Sequence, residues 1–181
     1  MQMRRMFALL CLAVALCLPN LCSAGLMDHP RIAVIPFANQ SADLSVTVSD
    51  GILEDMREIV EIDLKNTGMF QTLERVDVDK LIAEHQFDRS GLVDVNTAAK
   101  LGKMLGAEYL LLGSVTDISR EGSKYEARVG LRLVNVETAS VDLAGRGKAE
   151  ASSAKKGLEE AVEDALAGKR GILTMLRGGR K

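Results

Sequence analysis

The chain has 181 residues, 47% apolar and 27% charged, with three cysteines and no tryptophan. That profile excludes a disordered tail, a collagen-like repeat and a disulfide scaffold. The formal charge of −2, from 23 Lys and Arg against 25 Asp and Glu, leaves none of the basic excess with which a dedicated nucleic-acid binder neutralises phosphates.

Residues 1–24 read as a secretory leader. Arg4 and Arg5 form its positive end, Phe7 to Leu18 is an apolar run, Pro19-Asn20 breaks it, and Cys22-Ser23-Ala24 offers small residues for cleavage. The run is too short for a spanning helix, which needs about 20 apolar residues. Cleavage near Ala24 would remove Cys11, Cys17 and Cys22 together. The mature chain would then hold no disulfide, thiol nucleophile or Cys-ligated metal. Leu16 and Leu21 stand directly before Cys17 and Cys22, where a lipid-acceptor cysteine needs a small residue, so acylation is not expected. The expected destination is the periplasm, the compartment beyond the inner membrane.

Residues 25–167 read as one domain. Ile32 to Phe37 (IAVIPF) is continuously apolar and rich in β-branched residues, as in a strand covered on both faces. From about Thr47 to Thr67, Ile52, Met56, Ile59, Val60 and Leu64 recur at helical spacing and Gly68 follows as a C-terminal cap. Phe70 to Arg75 predicts a second strand and Val76 to Gln86 a short helix carrying Val78, Leu81, Ile82 and His85 on one face. A loop at Ser90-Gly91 leads to a helix begun by Asn96 or Thr97 and ended by Gly106. Gly102 and Gly106 make a GxxxG spacing, but Lys100 and Lys103 rule out the membrane context of that motif, leaving close packing or a C-cap.

Glu108 to Ser119 predicts the second continuous apolar strand. Tyr125 to Leu133 alternates apolar with polar residues, the period of a half-solvated antiparallel strand. A turn at Glu137–Ser140 leads to a last strand over Val141–Ala149. Leu158, Ala161, Val162, Ala165 and Leu166 then mark a helix over Lys155–Ala167. The expected fold class is α+β, a mixed sheet with helices packed on one side of it, in the order β-α-β-α-α-β-β-β-α. Residues 168–181 form a basic, glycine-broken tail. Its Ile172, Leu173, Met175 and Leu176, followed by Arg177, Arg180 and Lys181, leave two readings open: an apolar patch for a neighbour or membrane surface, or a terminal helical turn folded back.

No catalytic, cofactor-binding or metal-ligating set assembles. His29 sits in the lead-in and His85 on an amphipathic helix, where a lone histidine is more often a packing residue. Glu54-Asp55 and Glu159-Glu160 lie on polar helix faces, and Asp77 and Asp79 at a strand-to-helix junction suit capping. Gly145-Arg146-Gly147 lacks the strand-turn-helix context of a dinucleotide site.

Three stretches, Arg31–Phe37 (RIAVIPF) with Asn39, Phe70–Asp94 (FQTLERVDVDKLIAEHQFDRSGLVD) and Ala98–Thr116 (AAKLGKMLGAEYLLLGSVT), with the hairpin Leu131–Thr138, resemble the CsgG family of the curli secretion channel. The resemblance covers about residues 30–167. It implies a CsgG/TolB-N-terminal-like fold and a protein that acts by contact with envelope proteins, or with copies of itself, at the outer membrane, without enzymatic activity, cofactor or small-molecule substrate. The short connections at Ser119–Lys124 and Thr138–Val141 leave no room for membrane-spanning hairpins. Two roles stay open: an assembly or secretion component of a curli-type export system, and an LpoB-like regulator of an envelope enzyme such as a peptidoglycan synthase. A hydrolase built on His85 and nearby carboxylates is a third.

Overall fold

The computed structural model describes residues 29–43, 45–87 and 94–178. The expected leader with Cys11, Cys17 and Cys22, the loop at Ser90-Gly91, and Arg180 and Lys181 lie outside the described residues. The elements are β1 (Arg31–Val34), β2 (Ala38–Asn39), α1 (Asp50–Thr67), β3 (Gln71–Thr72), α2 (Arg75–Glu84), α3 (Val95–Leu105), β4 (Tyr109–Glu121), β5 (Lys124–Asn135), β6 (Ser140–Ala151), α4 (Ala154–Ala167) and α5 (Ile172–Gly178). The expected order is present, with β2 and α5 added.

The strands form a mixed sheet ordered β3-β1-β4-β5-β6, with β2 beside β4. β1 runs parallel to β3 and β4, whereas β4, β5 and β6 make an antiparallel meander. Pro36 explains the split of the first apolar run. It has no N–H to give, so the ladder is held at Ile35, whose N–H reaches the Leu111 carbonyl at 3.0 Å, and resumes at Ala38 opposite Ser114. The expected strand over Phe70–Arg75 shrinks to Gln71–Thr72, because Arg75 already belongs to α2.

Strand alternation sends Ile32, Val34 and Leu111 into one core, with Leu53, Met56 and Val60 of α1 and Leu158, Val162 and Ala165 of α4. The intervening Ala33, Ile35, Leu110 and Leu112 enter a second core, with Val78 and Ile82 of α2 and Ala98 and Leu101 of α3. The helices therefore lie on both faces, not on one. A run apolar at every position has two sides to bury, and this chain buries both. Ile172 and Leu173 of α5 join the first core, and Met175 and Leu176 pack against it, so the tail's apolar residues are folded back.

Polar caps set the helix starts. Ser49 Oγ accepts from the Ile52 N–H at 3.4 Å, Asp94 from Thr97 at 2.9 Å and Ser153 from Lys156 at 3.3 Å. α1 and α3 thus start from Ser49 and Asp94 rather than from the neighbouring threonines and asparagine. The GxxxG glycines have separate duties. A Cβ on Gly102 would stand 2.5 Å from Val136 Cγ2, and Gly106 ends α3 at φ 63°, where only glycine is unstrained.

Candidate interaction surface

α2 and α3 cover only part of their side of the sheet. Past Leu112 on β4 and Val134 on β5, the same face turns to solvent among the described residues. Gly130 lies between Ser114 of β4 and Arg146 of β6, Arg128 between Asp117 and Lys148, and Arg132 beside Ala144. Small residues thus make a floor, and long side chains of both charges, Arg128, Arg146 and Lys148 with Asp117 and Glu126, make its walls. Two shallow cavities, about 310 and 440 Å³, share Thr116 and Arg146 and run together across this face.

Charge on the face is graded. Glu126 accepts from Arg128 at 2.6 Å and pairs with Lys148 at 2.9 Å, while Arg128 also reaches Asp117 at 3.4 Å. The hydrogen bond from Lys148, followed by its charge and the contacts from Arg128, holds the Glu126 carboxyl below its ordinary value. A carboxyl depressed in the folded state stabilises the fold fully above its unfolded pKa of about 4.5 and loses that contribution as pH falls through the lower folded value. Glu126→Gln is therefore expected to flatten the acid limb of stability measured by denaturant titration between about pH 5 and pH 3, with little change in slope above pH 6. Arg146, by contrast, is exposed and has no partner among the described residues.

β6 is the edge of the sheet, and α4 guards it. The Lys148 N–H, which faces away from β5, donates to Asp164 Oδ2 at 3.3 Å. Gly145 and Gly147 lie directly under the α4 backbone, where a Cβ would collide with the carbonyls of Ala165 and Ala161. The exposed Arg146 and Lys148 add charge to the edge, as natural sheets do to prevent strand addition.

The opposite side of the molecule is the outer surface of α1 and α4, and it is acidic. Asp55, Glu58, Glu160 and Glu163 lie along it, and Lys156 pairs with Glu160 at 3.7 Å. Lys155 bridges the helices, to Asp55 at 2.7 Å and Glu159 at 3.7 Å. The bond to Asp55 and its charge raise the Lys155 ammonium above its ordinary pKa. Ile62 of α1 is 50% exposed.

The residues singled out by sequence do not converge. His85 caps α2 on the surface with its ring tilted against Phe87, 6.2 Å between centroids. His29 borders an apolar cavity of about 400 Å³ beside Phe70, Tyr109 and Leu176, far along the chain from His85. Asp77 is in the first turn of α2, but the cap position is Glu74, which makes no side-chain cap bond. Asp79 instead accepts from Arg57 Nη1 at 2.7 Å. Glu54 and Asp55 serve different partners, Arg57 and Arg75 for the first and Lys155 for the second. Among the described residues no three His, Cys, Asp or Glu side chains are grouped to hold a metal ion. No described helix is long and apolar enough to cross a membrane.

Sequence reasoning missed Arg57. It is fully buried on α1, with Glu61 3.1 Å from Nε and Glu54 3.7 Å from Nη1. Glu61 also binds Arg75 at 3.1 Å. Burial opposes the Arg75 charge, yet Glu61 through hydrogen bond and charge, aided by Glu54 and Glu58, raises its pKa. This network ties α1, on one face of the sheet, to α2, on the other, around the β3 edge. Its signal in the sequence is an arginine inside an apolar helical stripe, four residues after Leu53 and three before Val60, with Glu54 and Glu61 at i−3 and i+4.

Among known proteins, the family described as curli production assembly/transport component CsgG matches residues 22–161. No curated protein matches the chain. Similar solved structures include lipoprotein GNA1162 of Neisseria meningitidis, 17% identical over 82% of this chain and 91% of that one, with a TM-score of 0.55. The C-terminal domain of LpoB from Salmonella enterica is 17% identical over 69% and 85%, at 0.50. A PelC dodecamer from Paraburkholderia phytofirmans is 14% identical over 80% and 89%, at 0.51. At such identities the likeness establishes the fold alone.

Proposed function

The chain belongs to the CsgG family, and from that premise we propose that it is a non-enzymatic, exported envelope protein acting through protein contacts, as an assembly or secretion component of a curli-type, outer-membrane-associated system. The observation that carries this reading is the half-open sheet: the solvent-facing part of β4, β5 and β6 offers a broad, polar, shallowly concave surface. Such a surface binds a macromolecule by shape and charge rather than transforming a small one. The dodecameric state of the PelC relative supports assembly with copies of itself. The LpoB relative supports the second reading, a regulator docked on an envelope enzyme such as a peptidoglycan synthase.

The test expresses the full chain, leader included, in a bacterium with two membranes, then fractionates the envelope and measures the native mass of the purified protein by light scattering. A discrete oligomer from the periplasmic or outer-membrane fraction, cleaved near Ala24, is expected. A strict monomer that captures a peptidoglycan synthase in equal amounts would favour the regulator. Recovery from cytosol with residues 1–24 intact would overturn both.

A further inference from the structure

We propose that the end of the molecule carrying α5 lies against an anionic phospholipid surface; this rests on the outer-membrane association in the reading above and supplies the contact for it. The argument is the charge left over once every ion pair is made. β1 and β4 begin at this end, at Arg31 and Tyr109, and α1 and α4 finish there, at Thr67 and Ala167. α5 closes it. On one flank Leu173 and Arg177 border a cavity of about 210 Å³ with Thr67 and Ala167, and on the other Leu176 borders the cavity of about 400 Å³ with Phe70, Tyr109 and Leu143.

Lys65, Lys169, Arg170 and Arg177 are exposed around α5 and have no ion-pair partner among the described residues. Arg180 and Lys181 follow in the sequence. The acids beside them are Asp63 and Asp142, with Glu163 and Asp164 one turn back on α4, where Asp164 accepts the Lys148 N–H. Beyond Tyr109, Arg31 and Lys103 balance Glu108 and Glu137. A cationic excess therefore remains at this end of a chain whose overall charge is −2.

Apolar side chains stand among these cations. Met175 and Leu176 are half-buried, and Phe70 meets Tyr109 edge-on, 6.0 Å between centroids. Tyrosine, with an apolar body and a polar tip, suits a boundary between hydrocarbon and water. The cations are spread over two helices and a turn without converging on one point, which fits a field of many headgroups rather than a single anionic ligand. Charge brings such a surface to the headgroups, and the apolar side chains between the cations reach the acyl boundary.

The test mixes the processed chain from the envelope fraction with vesicles of phosphatidylethanolamine and phosphatidylglycerol in equal parts, or of phosphatidylcholine alone. Co-sedimentation with the anionic vesicles is expected, with little on phosphatidylcholine, and release at about 1 M salt, where the screening length falls to about 3 Å. Lys169→Gln with Arg170→Gln changes only an exposed turn, so it should keep the parent's unfolding midpoint. It should weaken vesicle binding about twentyfold, since each cation near such a surface is worth about a factor of five.

The chain has no tryptophan, so single insertions report position. Emission from Met175→Trp should shift to the blue on anionic vesicles, while Ser123→Trp, in the β4–β5 turn at the far end of the sheet, should not respond. Equal binding to both vesicle types, a double variant that binds like the parent, or equal shifts from the two tryptophans would overturn the proposal. A parent that fractionates with the outer membrane but ignores protein-free vesicles would overturn it and leave the association standing. A parent absent from the envelope would overturn both.

Discussion

Gly147→Val is expected to destabilise the protein by about 3 kcal/mol or more, the upper range of overpacking, and to lower the thermal midpoint by roughly 10 °C in a chain of this size. A Cβ at position 147 would overlap the Ala161 carbonyl oxygen and stand 2.5 Å from the Ala165 nitrogen. Both obstacles are helix backbone, hydrogen-bonded in place, and neither can swing aside as a side-chain tip would. The strand or the helix must move, and with it Val162 and Ala165, which are fully buried. The comparison that isolates the mechanism is Ala144→Val on the same strand. Ala144 faces solvent, so a larger side chain there should change stability by less than about 0.5 kcal/mol. Equal midpoints for the two variants, measured by calorimetry, would show that α4 does not sit against the sheet at this distance.

Glu61→Gln is expected to cost about 3 kcal/mol, the low end for removing one partner from a buried ion pair. Arg57 is fully buried, its Nη2 has no acceptor, and its Nε faces Glu61 without hydrogen-bond alignment. The guanidinium therefore depends on nearby carboxylate charge more than on ideal bonding. Removing Glu61 leaves it with Asp79 and Glu54, both partly in water. Arg57→Met should cost less, about 1 kcal/mol, because methionine fills the stripe and the freed carboxylates reach solvent. In urea unfolding, that order of severity is the diagnostic. A Glu61→Gln chain as stable as the parent would mean that Arg57 draws its compensation elsewhere.

These two sites mark where sequence periodicity stops. Leu53, Met56, Val60 and Leu64 announce α1, and Leu158, Ala161, Val162 and Ala165 announce α4, because each residue answers to its own turn of helix. Ile32–Ile35 and Leu110–Leu112 show that strands are covered on both faces, yet nothing local says which helix covers which. That is decided by the crossings of β1 between β3 and β4, and the expectation of helices on one side failed there. Gly147 looks like a weak strand residue until Ala161 is placed above it. Arg57 carries a local signal in Glu54 and Glu61 on its own helix, but its closest partner, Asp79, comes from another helix and does not show in the spacing. The interaction surface was legible only in part: alternation along Tyr125–Leu133 marked a solvated face, but the neighbours on it are set by pairing β5 with β6 in a register that puts Arg128 beside Lys148 and Arg146 beside Gly130.

β1 hydrogen-bonds to strands at residues 71 and 109, and the core it opens is closed by Ile172 and Leu173. The second core, by contrast, holds no residue beyond Val136, so only the first core waits for α5. A polypeptide still emerging from the ribosome therefore holds every residue of the second core well before the last residues of the first have been made. Translation products that stop short of α5 would leave the first core short of Ile172 and Leu173 and uncovered at that end.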